Sequence, residues 1–378
     1  MAIQKITIEE FLSLAKQHPI LDVRSPGEYT HAHIPTAHNL PLFSDEERKE
    51  VGTAYKQQSR EAAIKIGLDF FGVKMKKLVE ETEGIVGSWQ LAVSNLQPPD
   101  RQLPTANCVL VHCWRGGMRS AAVAWLLDMY GFKVYLLTGG YKAYRKWVLA
   151  QFEQAYNFNI IGGYTGSGKT LLLHELAKQN KTIIDLEGLA NHKGSAFGAI
   201  GEKPQPRQEM FENNLAEKLA DVNCSLPAEK PYDKANEQQA LNIFIEDESQ
   251  RIGNLQIPMP LWYTMRRSPV YFIDIPFEKR LEYITADYGK QDKENLKEAI
   301  LRIQKRLGGL ETKNAIQFLE EDDLKASFRI LLTYYDKWYY KGLHNRENLS
   351  SLLNKIPCSS VDTEINTQKL LLCNTVSA

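Results

Sequence analysis

The chain has 378 residues, which is long for one domain and predicts two or three. Apolar residues make up 43% and charged residues 24%, which is typical of a soluble globular protein. The formal net charge is zero, which excludes a globally basic nucleic-acid-binding protein, so any basic binding surface has to be local.

The sequence also lacks the signals of a membrane or secreted protein. It has no run of 18 apolar residues, and its first residues lack the apolar core of a signal peptide. The five cysteines are scattered, and the absence of a CxxC pair argues against a zinc site. We therefore expect a cytoplasmic protein with free thiols, no membrane association and no certain metal site.

Residues 1–145 alternate between short apolar strands and helices. PILDVRS, CVLVHC and KVYLLTGG are predicted strands, and SAAVAWLLDMYG is a predicted helix that ends at a glycine. The order strand, turn, helix, strand predicts a parallel α/β sheet. A helix-rich insert is predicted at about residues 44–91, and a connecting helix at residues 146–157.

Residues 158–276 predict a second α/β domain, and residues 277–378 predict a helical, highly charged C-terminal extension. The first strand of the second α/β domain (Phe158–Ile161) precedes a glycine-rich loop, and a helix (Leu171–Lys178) follows that loop. Further strands are predicted at Thr182–Gly188, Asn242–Ser249 and Pro269–Pro276.

The glycine-rich loop, GYTGSGKT, matches the P-loop pattern GxxxxGK[ST]. Its glycines let backbone N–H groups turn toward phosphate oxygens at a helix N-terminus, where the helix dipole favours anions. The lysine would reach the outer phosphates and the threonine hydroxyl would meet a Mg²⁺ ion. The predicted phosphate-binding residues are Gly163, Thr165, Gly166, Ser167, Gly168, Lys169 and Thr170.

Strand-end carboxylates are candidates for the acidic partner of the P-loop. Asp247 follows the apolar run IFIE and resembles the end of a Walker B strand, and Asp185 and Asp274 also end apolar strands. Each of these carboxylates could instead cap a helix or pair with an arginine. We keep Asp185 and Asp247 as substrate or magnesium candidates.

The stretch VHCWRGGMRS predicts a second loop chemistry. A thiolate at neutral pH needs inward N–H groups and nearby arginines, which lower the thiol pKa. Cys113 ends a buried strand and precedes a glycine–arginine loop and a helix, whereas Cys108 fits a core thiol. The catalytic candidates are Cys113, Arg115, Gly116, Gly117 and Arg119.

Two chemistries fit this loop. His112, Cys113, Arg119 and Ser120 match the HCx5R[ST] signature of cysteine-based phosphatases, and rhodanese-type sulfurtransferases place a cysteine at the same position. The loop has one more residue before its arginine than the common rhodanese form, CxxGxR, which keeps the phosphatase alternative open. The chain resembles the rhodanese family at Asp22, Arg24, Glu28, His33, Ile34, Pro35, Ala37, Asn39, Pro41, Gly139 and Gly140.

A rhodanese-like domain joined to a P-loop domain resembles the tRNA 2-selenouridine synthase family. The resemblance extends over FSDEERKEVGTAYKQ, CWRGGMRS, GGYTGSGKT, IDLEGLANHKGSAFG, EDESQRIG and RRSPVYFIDIPFEKRL, and runs to at least Leu310. It implies that the protein is a transferase that geranylates wobble 2-thiouridine of tRNA with geranyl diphosphate. It then implies replacement of the S-geranyl group by selenium from selenophosphate.

The resemblance also implies roles for the two loops. Cys113 would be essential and would carry selenium as a perselenide, and the P-loop would hold the prenyl diphosphate. Mg²⁺ can assist, and ATP hydrolysis is not required. The implied partners are tRNA and a selenophosphate-supplying enzyme; the sequence predicts no oligomeric state.

Local basic residues are candidates for tRNA contacts. Arg266 and Arg267 precede a predicted strand and could contact phosphate or tRNA, or could belong to a solvated turn. Further basic candidates for tRNA contacts are Lys142, Arg145, Lys146, Arg302, Lys305 and Arg306. The loop residues that could contact substrate are Asn191, His192, Lys193 and Gly194.

Two alternatives remain for the function of the chain. One is an enzyme, a P-loop kinase joined to a cysteine phosphatase or a plain sulfurtransferase. The other is a nucleotide-dependent RNA-binding regulator with an inert rhodanese fold.

Overall fold

The computed structural model describes residues 3–94, 107–224 and 242–376. The chain divides into two compact units, Met1–Ala150 and Gln151–Ala378. In the described residues each unit has a five-stranded sheet whose strand pairs are all parallel. This confirms the predicted α/β class. No helix in the described ranges is long and apolar enough to cross a membrane.

The first unit has the strand order β1-β5-β4-β2-β3, so β4 lies at the centre of its sheet. Its elements are β1 (Gln4–Ile6), α1 (Ile8–Ala15), β2 (Ile20–Asp22), α2 (Pro26–His31), β3 (His38–Asn39), α3 (Asp45–Gln57), α4 (Arg60–Ser94), β4 (Cys108–His112), α5 (Met118–Tyr130), β5 (Lys133–Leu137) and α6 (Gly140–Gln151).

Helices α3 and α4 form the predicted insert, and they are part of the core of the first unit. A capping box starts α3: the Glu47 backbone N–H donates to the Ser44 hydroxyl at 3.2 Å, and the Ser44 N–H donates to the Glu47 carboxylate at 2.8 Å. Leu78 and Val86 of α4 pack in the same apolar cluster as Val111 of β4. The insert therefore covers a sheet face that would otherwise be exposed.

The second unit has the strand order β12-β11-β6-β8-β7, with a separate hairpin of β9 and β10. Its elements are β6 (Asn157–Gly162), α7 (Lys169–Lys178), β7 (Ile183–Ile184), α8 (Leu186–Ala190), α9 (Gln208–Cys224), β8 (Asn242–Glu246), β9 (Arg251–Ile252), β10 (Leu255–Gln256), α10 (Met259–Arg267), β11 (Val270–Asp274), α11 (Phe277–Tyr288), α12 (Lys293–Arg302), α13 (Gln304–Leu307), α14 (Gly309–Glu320), α15 (Leu324–His344), α16 (Leu349–Leu352), β12 (Leu353–Pro357) and α17 (Thr363–Val376).

Three predicted boundaries differ from the structure. The connecting helix α6 begins at Gly140 and ends at Gln151, because β6 already starts at Asn157. The strand predicted at Thr182–Gly188 is only two residues long, because Asp185 caps the next helix, α8. The C-terminal region, predicted as helical, also supplies β12, which pairs in parallel with β11 at the edge of the sheet.

Both candidate loops follow a strand at the centre of a parallel sheet. The cysteine loop follows β4, and the phosphate loop follows β6, which lies between β11 and β8. Ligands bind at the carboxyl ends of strands in open α/β sheets, where loops and helix N-termini converge. The fold therefore places each loop where an anionic ligand or a reactive side chain can be held.

Candidate active site: a cysteine loop and a phosphate loop

The cysteine loop curls tightly between β4 and α5. The Cys113 side chain is buried, and its sulfur forms a hydrogen bond with the Ser120 hydroxyl at 3.1 Å. Gly116 has a φ of 65°, and a Cβ atom there would lie 2.7 Å from the Leu137 carbonyl oxygen. Only glycine fits this position, so the loop geometry is fixed by the sequence.

The turn between β5 and α6 closes around the cysteine loop. The Tyr141 N–H donates to the Cys113 carbonyl at 2.8 Å, and the Lys142 N–H donates to the Trp114 carbonyl at 3.0 Å. A Cβ atom on Gly140 would collide with the Cys113 carbonyl oxygen. The resemblance included Gly139 and Gly140, and the structure gives Gly140 a physical role as the close contact of the two turns.

The surroundings of the sulfur favour a thiolate. Burial raises the pKa of Cys113, but three effects outweigh it and lower that pKa. They are the hydrogen bond from the Ser120 hydroxyl, the backbone N–H groups of Ser120 and Arg115, and the charge of Arg119. For Cys108, burial raises the pKa, as expected for a core thiol. The geometry thus supports Cys113 as the reactive cysteine.

The loop arginines differ in their contacts. Arg119 donates to the Glu28 carboxylate at 2.7 Å, and Arg48 of α3 forms an ion pair with the same carboxylate at 3.0 Å. Arg115 is exposed and acts on the sulfur through its backbone N–H group. Gly117 is the N-cap residue of α5. The sequence did not indicate that Glu28, 91 residues away from Arg119, would hold that arginine.

The histidine of the phosphatase-like signature is a packed residue. His112 is fully buried, and burial lowers its pKa, so its ring is neutral at neutral pH. Its Nε2 atom lies 3.7 Å from Asp22, whose carboxylate accepts hydrogen bonds from Arg24 at 2.9 Å. Arg24 in turn lies 3.9 Å from the centre of the Tyr141 ring. His112, Asp22, Arg24 and Tyr141 therefore form a buried network at the end of β4, where the cysteine loop begins.

Ser120→Ala tests how the thiolate is held. The Ser120 hydroxyl is one of the groups that lower the pKa of Cys113 against the effect of burial, so the pH of half-maximal Cys113 alkylation should rise when it is removed. The measurement is the rate of iodoacetamide labelling of the Cys113 peptide against pH. Ser13→Ala, on the exposed side of α1, is the matched control. An unchanged midpoint in Ser120→Ala would contradict the assigned role.

The phosphate loop has the backbone that its sequence pattern predicts. Gly163, Gly166 and Gly168 have φ values of 153°, 79° and 74°. A Cβ atom on Gly166 would lie 2.5 Å from the Ile284 side chain of α11. Lys169 starts α7, and its ammonium group donates to the Gly163 carbonyl at 3.2 Å. The lysine therefore lies across the loop, where a phosphate would meet it.

Side chains from α11 and α15 brace the phosphate loop. Arg280, buried in α11, donates to the Thr165 carbonyl at 3.0 Å and forms two hydrogen bonds with Asp336 of α15, at 2.8 and 2.7 Å. The Tyr339 hydroxyl accepts a hydrogen bond from the Gly163 N–H at 3.0 Å. These residues were not predicted, because they lie more than 100 positions after the loop.

Asp247 belongs to the same brace. Its carboxylate accepts a hydrogen bond from Tyr339 at 2.6 Å and forms a buried ion pair with Arg346. Asp185 accepts from the Gly188 N–H at 2.6 Å as the cap of α8, and it also contacts His174 at 2.8 Å. Both aspartates therefore have the structural roles that the sequence had left open as alternatives.

Glu246 is a strand-end carboxylate close enough to the phosphate loop for Thr170 and Lys169 to act on its pKa. It is fully buried at the end of β8, and its oxygens have no hydrogen-bond partner in the part of the chain that the structure describes. The neighbouring Thr170 hydroxyl donates to Glu187 at 2.9 Å instead. Burial, followed by the charges of Glu187 and Asp185, raises the pKa of Glu246 to about 8.

Two further carboxylates share this environment. Burial and mutual repulsion raise the pKa of Glu248, and burial raises that of Glu187 despite the opposing charge of Lys169. We call Glu187, Glu246 and Glu248 the carboxylate cluster. It lies beside Lys169 and Thr170, and a cation or a bound proton is needed to relieve its repulsion.

Comparison with known proteins identifies the family. Residues 156–355 match the model of the tRNA 2-selenouridine synthase AAA domain, and residues 7–69 match the rhodanese-like domain. A tRNA 2-selenouridine synthase from Bdellovibrio bacteriovorus is 33% identical, covering 93% of this chain and 96% of that protein. One from Shewanella frigidimarina is also 33% identical, covering 89% and 91%.

The chain belongs to the tRNA 2-selenouridine synthase family. A relative from a Sulfurovum species is 34% identical and covers 86% of this chain and 88% of its own. The match confirms the resemblance stated from the sequence and makes this protein a tRNA-modifying enzyme. The phosphate loop lies within the matched AAA domain, whereas the rhodanese-like match covers residues 7–69 and ends before the cysteine loop.

The residues around the phosphate loop fit a magnesium ion. Mg²⁺ binds through one or two carboxylates, a hydroxyl and phosphate oxygens rather than in an all-protein cage. Thr170, Glu187 and the partnerless Glu246 supply such oxygens. In the described ranges no group of three or more His, Cys, Asp or Glu side chains could hold a metal ion, so magnesium here would also need the threonine hydroxyl and the phosphate oxygens of a ligand. Bound magnesium would offset the charge of the carboxylates.

Glu246→Gln tests the charge state of the carboxylate cluster. The unfolded chain releases this proton near pH 4.5 and the folded protein near pH 8, so folding binds a proton between these values. The stabilisation is complete below pH 4.5 and is lost as the pH rises through about 8. The neutral glutamine variant should therefore be more stable than wild type at pH 8.5 by about 1–3 kcal/mol, and similar near pH 4.

Urea unfolding at the two pH values measures this difference. Glu153→Gln is the control, because Glu153 is exposed after α6 and outside the cluster. If Glu246→Gln and wild type differed in free energy of unfolding by the same amount at both pH values, Glu246 would not hold a proton in the folded protein.

The remaining candidates lie away from the phosphate loop or have structural contacts. Arg266, at the end of α10, donates to the Gly342 carbonyl at 3.1 Å and lies over the Trp262 ring, and Arg267 beside it is exposed. His192 is buried, and burial lowers its pKa, which fits a packed histidine. Asn191 ends α8 in a left-handed conformation.

The basic tRNA candidates are mostly on exposed helix faces. Lys142 and Lys146 of α6 are exposed, as are Arg302 of α12 and Lys305 of α13. Arg306 lies 5.7 Å from the centre of the Trp338 ring of α15. These positions leave the basic side chains accessible to a polyanion, which is what the prediction requires.

Proposed function

We propose that this enzyme geranylates wobble 2-thiouridine of tRNA with geranyl diphosphate, and then replaces the S-geranyl group with selenium from selenophosphate. The observation that carries the proposal is the pairing, in one family member, of an activated cysteine loop with a phosphate loop. Neither loop alone specifies the reaction. A diphosphate leaving group and a selenium nucleophile together require both kinds of site.

The phosphate loop is suited to the geranylation step. In this step the sulfur of 2-thiouridine attacks carbon 1 of the geranyl group, the C–O bond breaks, and diphosphate leaves with both bonding electrons. N3 of the base loses its proton when the sulfur is alkylated. The charge that develops on diphosphate needs fixed N–H donors and a cation. Gly166, Gly168, Lys169 and Thr170 supply these groups, with no requirement for ATP hydrolysis.

A magnesium ion would supply charge neutralisation at the same oxygens. Thr170, Glu187 and Glu246 would hold it, and Lys169 would leave the Gly163 carbonyl to meet the diphosphate. The brace from Arg280 and Tyr339 keeps the loop backbone in place during this exchange. The chain thus provides orientation and charge, while the reacting bond belongs to the substrate.

The cysteine loop is suited to the selenation step. Alkylation turns the poorly leaving thiocarbonyl sulfur into a thioether-like group, so the selenium atom of selenophosphate can add at carbon 2 and geranyl thiolate leaves with the electrons of the C–S bond. Water then takes the phosphoryl group, so the P–Se bond breaks with its electrons on selenium. The products are orthophosphate and 2-selenouridine, and no atom changes its oxidation state. Cys113 is the residue that handles selenium, because its surroundings stabilise an anion on a chalcogen. The partners are tRNA and the enzyme that supplies selenophosphate.

Stepwise incubation of purified protein tests the proposal. Geranyl diphosphate alone should convert 2-thiouridine in tRNA to its S-geranyl form, and subsequent selenophosphate should give 2-selenouridine. Formation of ADP or release of phosphate from a phosphoester, without any change to the base, would instead favour a kinase or phosphatase.

A further inference from the structure

A cavity of about 600 Å³ opens beside the cysteine loop. It is lined by Trp114, the residue after the reactive cysteine, by Arg119 of the same loop, and by Arg48 and Lys49 of α3. The two insert cations come from the stretch FSDEERKEVGTAYKQ, to which no part of the proposed reaction has assigned a role. They line the same cavity as Trp114 and Arg119, two residues of the loop that begins at Cys113.

The cavity carries more positive than negative charge. Its lining has three fixed cations, Arg48, Lys49 and Arg119, and two carboxylates, Glu28 and Asp45. The Asp45 carboxylate accepts the Gly27 N–H at 3.0 Å. In a chain with zero formal net charge, a local excess of cations beside a reactive thiol indicates an anionic ligand.

Glu28 holds two of these cations side by side. Its Oε2 atom accepts from Arg119 at 2.7 Å, pairs with Arg48 at 3.0 Å, and accepts the Ser25 N–H at 3.1 Å. These donors outweigh burial and lower the pKa of Glu28 to about 2, so it stays ionised at neutral pH. The carboxylate thus fixes the separation of two guanidinium groups from different elements.

We propose that this cavity binds a phosphate dianion, with Arg48, Lys49 and Arg119 as its ligands and Glu28 as the residue that positions the two arginines. Guanidinium groups match phosphate oxygens in a planar, two-bond geometry, and lysine adds a mobile charge. The cavity is much larger than one phosphate, so it admits a phosphate that carries a substituent.

The phosphate belongs to selenophosphate, a choice that rests on the proposed function. Arg119 lines the cavity, and the hydroxyl of its neighbour Ser120 lies 3.1 Å from the Cys113 sulfur, so a phosphate held by Arg119 puts an attached selenium atom close to the sulfur. The cations of α3 thereby favour selenophosphate as the selenium donor, because selenide has no phosphate group for them to bind. The phosphate site itself stands on the cavity and its charges, without reference to selenium.

Protection of Cys113 by inorganic phosphate tests the site independently of the reaction. The full-length protein is labelled with iodoacetamide, a neutral reagent, at constant ionic strength and increasing phosphate, and labelling of the Cys113 peptide is followed by mass spectrometry. For each variant, the labelling rate with phosphate is divided by the rate of the same variant without phosphate. An effect of the substitution on the reactivity of the thiol itself therefore cancels. Phosphate should slow labelling of wild type.

Arg48→Ala should raise the phosphate concentration that gives half-protection by about tenfold or more, as expected for the loss of one charge-assisted hydrogen bond. Lys56→Ala, two turns further along α3 and exposed outside the cavity, should behave as wild type. Equal protection in Arg48→Ala and Lys56→Ala, or no protection in wild type, would overturn the phosphate site.

Steady-state selenation of pre-geranylated tRNA identifies the source of the phosphate. Arg48→Ala should raise the KM for selenophosphate about tenfold and leave the KM for tRNA unchanged. A raised KM for tRNA with an unchanged KM for selenophosphate would overturn that choice and assign the site to the RNA backbone. If wild type protects Cys113 with phosphate but forms no 2-selenouridine, the phosphate site stands and the proposed function fails.

Discussion

Cys113→Ala is expected to abolish selenation, with at least a ~10³-fold loss of rate, while geranylation of 2-thiouridine continues. The reason is that the two loops are built from different residues: the thiolate environment is formed by the turn after β4, by Ser120 and by Arg119. None of these groups belongs to the phosphate loop, which follows β6. Separate assays with geranyl diphosphate alone and with pre-geranylated tRNA measure the two steps.

Cys108→Ala is the matched control for this experiment. Cys108 is a buried thiol at the start of β4, the strand that Cys113 follows, and burial raises the pKa of Cys108, so it is not activated. We expect this variant to retain both steps. If Cys113→Ala reduced geranylation as strongly as selenation, the division of the two steps between the two loops would be wrong.

Lys169→Ala is expected to slow geranylation by about 10²–10³-fold, the usual loss when one donor to a developing anion is removed. The ammonium group now donates to the Gly163 carbonyl inside the loop, so its removal leaves no cation at the start of α7 to meet diphosphate. The measurement is S-geranylation of tRNA under saturating geranyl diphosphate. Selenation of pre-geranylated tRNA should continue.

Lys178→Ala provides the comparison on the same helix. Lys178 lies at the end of α7, largely exposed and paired with Glu175. Its loss should leave geranylation unchanged. Full geranylation in Lys169→Ala would remove the phosphate loop from this step, and a loss of selenation from pre-geranylated tRNA would place Lys169 in both steps.

The sequence predicts the central strands of both sheets and both loops. β4 and β6 are short apolar runs followed by glycine-rich turns and helices, and such local patterns determine local structure. α17 falls within the extension predicted as helical, and its Leu370 is fully buried in the core, but β12 was not predicted. β12 is half-exposed and contains a proline, so only its pairing with β11 makes it a strand.

The acidic partner of the phosphate loop shows where sequence reasoning is limited. Asp247 resembles a Walker B residue, but successive residues of a strand face opposite sides of a sheet. A shift of one position places Glu246 beside Thr170 and gives Asp247 to Tyr339 and Arg346. The local sequence pattern predicts neither the register of β8 nor the contacts that Asp247 makes with residues 92 and 99 positions further along the chain.

The same limit applies to the cysteine loop. The resemblance included Glu28, and the loop pattern included Arg119, but their ion pair joins positions 91 residues apart. Arg48, from the insert, completes that pair only because α3 packs beside the loop cavity. Local sequence predicts which residues are reactive, and tertiary packing determines which charges surround them.

Mass spectrometry of nucleosides from 2-thiouridine tRNA tests the central claim most directly. Purified protein is incubated with geranyl diphosphate and then with selenophosphate, and digested nucleosides are analysed after each addition. We predict S-geranyl-2-thiouridine after the first addition and 2-selenouridine after the second. An unchanged base after both additions, with protein that binds tRNA and is folded, would contradict the proposed two-step function.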